Sequence, residues 1–79
     1  MGKNDSIAEE FPEFGDKIHK LKLENNHFHK LHDQFEVVSK AIARSEARID
    51  LLSEIEEEKL RKERLKLKDE IYSLLVNSN

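Results

Sequence analysis

The sequence predicts an all-α protein in which a short N-terminal helix is followed by an antiparallel two-helix hairpin resembling a coiled coil. Three observations predict this. From Phe28 the seam positions alternate at spacings of three and four, through Leu31, Phe35, Val38, Ile42, Ser45, Ile49 and Leu52. That period keeps one stripe of a helix against a partner helix. Ser53 precedes Glu56 by three residues, the spacing at which the two side chains satisfy each other's backbone N–H groups at a helix start. Finally, Pro12 and the Asn25-Asn26 pair each stand where a helix begins. Proline suits a first turn that lacks N–H partners, and an Asn side chain accepts from the free N–H groups of the turn after it.

In chain order, residues 1–10 are polar and acidic with only Ile7 and Ala8 to bury, which predicts a mobile tail. Residues 11–79 form a single helical domain with helices over about 12–24, 26–48 and 53–76. In the first, Phe11, Phe14, Ile18 and Leu21 share a face, and Gly15 lowers its intrinsic helicity, so it should depend on docking. The second presents the seam residues Phe28, Leu31, Phe35, Val38, Ile42 and Ile49. The third answers with Leu60, Leu67, Ile71 and Leu74, beside Leu65, Tyr72 and Leu75. Arg64 occupies a seam position, where its stem can cover apolar surface. Residues 47–52 contain neither Gly nor Pro, so the turn rests on the Ser53 cap. A hairpin is favoured over a continuous rod because it buries both seams.

Composition narrows the functions. A chain of 79 residues with no cysteine must stabilise its thin core by packing, assembly or metal rather than disulfides. Acidic and basic residues nearly balance, at a net charge of −3, which gives no overall attraction for nucleic acid or anionic membrane. No apolar run approaches a membrane span, and the start of the chain has no signal-peptide core. A soluble, cytoplasmic protein is expected, without a membrane partner. Met1 to Ser6 match the loose myristoylation pattern, but no polybasic run supports a lipid anchor.

Three segments carry a family resemblance: Phe11-Pro12-Glu13-Phe14, Ile42-Ala43-Arg44-Ser45-Glu46, and the run from Lys62 to Ile71 containing Leu65-Lys66-Leu67-Lys68-Asp69-Glu70. Together they resemble the YdcH-like family of small bacterial helical proteins. The resemblance implies a short helix followed by a helical hairpin or coiled coil, a cytoplasmic bacterial setting, and no catalytic residues. Asn26, Gly15 and the glycine-free stretch 47–52 depart from the family pattern, the last at the position of the turn.

No catalytic constellation appears. There is no cysteine nucleophile and no glycine-rich phosphate loop, and none of Ser39, Ser45, Ser53 and Ser73 has a partnered histidine nearby in sequence. His29, His32 and Asp33 share a helix side, yet polar residues on a solvated helix start are the commoner meaning of such a group, and no metal is expected. Glu24 and His27 have the spacing of di-iron bundles but lack the further inward carboxylates such a site needs. No cofactor and no small-molecule substrate are expected.

Between Lys59 and Lys68 six basic residues stand against Glu63 alone, a stripe that could follow phosphates. Lys59, Lys62 and Lys66 are its candidate contacts. Acidic residues at both ends and the lack of stacking aromatics within the stripe favour a solvated helix flank instead. The sequence therefore points to a helical interaction or structural protein acting through a protein partner or self-association, with nucleic-acid association as the alternative.

Overall fold

The computed structural model describes residues 7–49 and 51–77. Its α-helices are α1 (Ile7–Glu10), α2 (Gly15–Glu24), α3 (Asn26–Glu46) and α4 (Glu54–Asn77), with a 3-10 turn at Pro12–Phe14 between the first two. The architecture is all-α, and α3 and α4 form the predicted antiparallel hairpin. Cross-helix pairs fix the direction: Ser45 with Glu57 and Ser39 with Arg64 advance along α4 as they retreat along α3.

The helix starts follow the sequence closely. Asn25 accepts from the Phe28 N–H at 3.0 Å and separates α2 from α3. At α4, Ser53 Oγ accepts from the Glu56 N–H while Glu56 Oε1 accepts from the Ser53 N–H, both at 3.1 Å. Losing this cap through Ser53→Ala should destabilise the fold by about 1 kcal/mol in a urea titration. An unchanged midpoint would show that water replaces both bonds at no cost.

The turn is made without glycine. The Arg48 N–H donates to the Ser45 carbonyl at 3.0 Å and the Ile49 N–H to the Arg44 carbonyl at 2.9 Å. This is the Schellman closure of a helix, with Arg48 at φ 64° where glycine usually stands. Arg48→Gly should therefore stabilise the hairpin by roughly 0.5–1 kcal/mol, because a side chain is disfavoured in the left-handed region. A fall in thermal midpoint would show that the Arg48 side chain contributes more than its backbone strain costs.

The core lies between α3 and α4 and extends beneath the N-terminal segment. Phe28, Leu31, Phe35, Val38, Ile42 and Ser45 are buried on α3, and Leu67, Ile71 and Leu75 on α4. Leu60 and Leu74 pack at its margin, partly buried. Three expectations are corrected. Ile49 leaves the seam at 61% exposure, because α3 ends at Glu46 and the left-handed residue turns the chain away. Leu75 lies in the core rather than beside it.

The third correction concerns the expected N-terminal tail. Residues 1–6 of it lie outside the described residues, but 7–10 form a helical turn with Ile7 fully buried. Two contacts explain the docking. Glu10 is gripped by Lys68 Nζ at 3.0 Å and Arg64 Nη2 at 3.1 Å. Phe11 and Phe14 rest on the Tyr72 ring, with centroids 5.3 and 6.2 Å away. The first helix is thus divided: the side chains of Glu10, Phe11 and Phe14 reach α4, while α1 and α2 both pack on α3.

Candidate interaction surface

The sequence-predicted seam does not face outward. Phe28, Leu31, Phe35, Val38 and Ile42 meet Leu67 and Ile71 inside the chain, so the strongest apolar signal is consumed by folding. Besides Leu23 on α2 and Val37 on α3, exposed apolar side chains gather on the opposite side of α4. There Ile55 is 67% exposed, Leu65 57% and Val76 50%, with Tyr72 covered only in part by the two phenylalanines. At the hairpin end Ile49 and Leu51 are also exposed. They stand beside a recess of about 370 Å³ lined by Ser45, Arg48, Leu51, Leu52, Glu54 and Glu57.

The basic stripe is partly tied down. Arg61 bridges Glu46 at 3.1 Å and Glu57 at 3.3 Å. Arg64 donates through Nε to Ser39 Oγ at 2.9 Å, pairs with Glu10, and lies 4.7 Å from the Phe35 ring centroid, the stem-covering role its seam position suggested. Lys68 grips Glu10, and its hydrogen bond is the largest cause holding that carboxyl below its ordinary value. Ser45 donates to Glu57, whose carboxyl is lowered first by this bond. Lys59, Lys62 and Lys66 are exposed, with Lys62 only 4.0 Å from Glu58 on the same helix.

The histidine group on α3 is arranged differently from its sequence reading. His29 pairs with Asp33 at 3.2 Å, whereas His32 is buried with Nε2 3.8 Å from Glu36 and an unpartnered Nδ1. Donor atoms of His32, Asp33 and Glu36 lie within 4.8 Å of one another, so Glu36 joins the group in place of His29. The neighbouring Lys22 ammonium opposes a cation here.

Burial, followed by Lys22, pushes the His32 imidazole below its ordinary 6.5. The folded state therefore favours the neutral ring, and the unfolded chain binds more protons once the pH drops below about 6.5. Stability should be complete above that pH and fall as acid is added, levelling off below the folded-state value. Denaturant titrations between about pH 8 and pH 5 should show this slope, and His32→Leu should flatten it. A slope that survives the substitution would assign it to another group. Glu10 and Glu57, both lowered from 4.5, lose their contribution only at lower pH.

Among the described residues, no helix is long and apolar enough to cross a membrane. Residues 28–75 match the family described as protein of unknown function (DUF465), and the chain belongs to that family. No curated protein matches the chain, and no solved structure matches it.

Proposed function

We propose that this DUF465 member is a helical protein-interaction module with no catalytic role, and that its docking surface is the outward side of α4 together with the hairpin end. The observation that carries the reading is the row of exposed Ile55, Leu65 and Val76 on a helix whose other side is already committed to the core. The motif resemblance to YdcH-like proteins agrees with the family match and supports a bacterial, cytoplasmic setting.

Chemical crosslinking in the native host, followed by affinity capture and mass spectrometry, tests the module. Proteins held by the native chain should be lost from a variant carrying Ile55→Ser and Leu65→Ser, while helicity is retained. Identical capture by both chains would reject this surface. Nucleic acid is the weaker reading, because Arg61, Arg64 and Lys68 are engaged by Glu46, Glu57 and Glu10, leaving fewer charges to release counterions from phosphates. Submicromolar binding of a labelled oligonucleotide at physiological salt, abolished by Lys62→Ala with Lys66→Ala, would reverse this ranking.

A further inference from the structure

The outward side of α4 carries a second regular stripe. Ile55, Glu58, Lys62, Leu65, Asp69, Tyr72 and Val76 alternate at spacings of three and four, and all are exposed. This is the period of a coiled-coil seam, lying on the side of α4 away from Leu67, Ile71 and Leu75. The inner seam spends its apolar residues inside the chain. The outer one alternates apolar residues with charges of both signs, and those charges restrict what can lie against it.

Resting on the proposed interaction role, we infer that a second copy of this chain docks here, antiparallel, with Glu58 of each chain opposite Lys62 of the other. Charge complementarity selects both the occupant and the register. A parallel pair would set Glu58, Lys62 and Asp69 each against its own counterpart, three like-charge contacts. An antiparallel pair shifted one heptad step toward the C-terminus sets Glu58 against Asp69, again alike. It also runs into the Phe11–Phe14 turn seated on Tyr72.

With the symmetry axis at the level of Leu60, Glu58 meets Lys62 twice and Ile55 meets Leu65 twice. Asp69 then lies opposite a residue preceding Glu54, beyond the start of the other α4, where it reaches water. Two apolar layers thus flank two ion-paired ones. The pairing places opposite charges together and covers two of the large exposed side chains of each molecule. A seam half built of ion pairs specifies orientation more than it supplies affinity, so the dimer should be reversible and weaken as salt rises.

Sedimentation equilibrium on the full chain, over concentrations from about 1 µM to 1 mM, should show a monomer–dimer equilibrium. Glu58→Lys makes both ion layers basic and Lys62→Glu makes both acidic, so each variant alone should be monomeric where the native chain is dimeric. Mixing the two single variants makes both layers complementary again, and a heterodimer should form. This mixed restoration does not depend on the intrachain Glu58–Lys62 contact, which is lost in both variants.

Circular dichroism checks folding, which should be unchanged because both side chains are exposed. A native monomer throughout the range overturns the inference, as does a dimer indifferent to the reversals or a mixture that stays monomeric. The broader interaction reading fails separately, only if capture is unaffected by the Ile55 and Leu65 substitutions.

Discussion

Phe35→Ala should destabilise the protein by about 3–5 kcal/mol, a substantial part of the stability available to a chain of this size. Phe35 is fully buried in the core between α3 and α4. Its ring also carries the Arg64 guanidinium, whose Nε is held by Ser39 and whose Nη2 holds Glu10. Truncation leaves a cavity where the two long helices meet and removes the face on which Arg64 lies, so hairpin and N-terminal docking weaken together. Urea titration followed by circular dichroism should show the midpoint collapsing toward zero denaturant. Phe35→Leu, which refills most of the volume, should recover much of the loss. A cost below about 1 kcal/mol for alanine would mean that α3 and α4 close over the gap and that the ring is no anchor.

The parts of this fold legible in the sequence are those specified by local chemistry. The Asn25 and Ser53 caps are read from one residue and its neighbours, and both are made with the predicted partners. The seam from Phe28 to Ile42 is read from its period and is buried as expected. The readings that fail depend on distant or backbone information. Ile49 continues the period, yet its helix has ended, because Arg48 takes a left-handed conformation that an arginine does not announce. The α1 segment reads as part of a tail because it is polar and acidic with only Ile7 and Ala8 to bury. Its order rests on the burial of Ile7 in the core, helped by Arg64 and Lys68, more than fifty residues away from Glu10. The candidate surface was half legible. Leu65 and Tyr72 stood out as surplus apolar residues, but the hairpin interior had to be assigned before the outer row from Ile55 to Val76 could be separated from the core.

Ile7→Ala should cost about 2–5 kcal/mol of docking free energy for the N-terminal segment, with the loss confined largely to that segment. Ile7 is fully buried although it begins a helix of only four residues, so its burial is the main apolar contribution holding α1 in place. Once that burial is lost, Glu10 must hold Lys68 and Arg64 through partly exposed ion pairs, which contribute little by themselves. The rings of Phe11 and Phe14 would then leave Tyr72. The hairpin retains its own core from Phe28 to Leu75, so its unfolding midpoint should move less than with Phe35→Ala. Hydrogen exchange separates the two cases. The Phe11 and Phe14 amides, which donate to Ile7 and Phe11 carbonyls at 2.9 Å, should lose protection while amides in the middle of α3 and α4 keep theirs. Uniform loss of protection along the whole chain would show that α1 and the hairpin unfold as one cooperative unit, with Ile7 anchoring the entire core rather than its N-terminal margin.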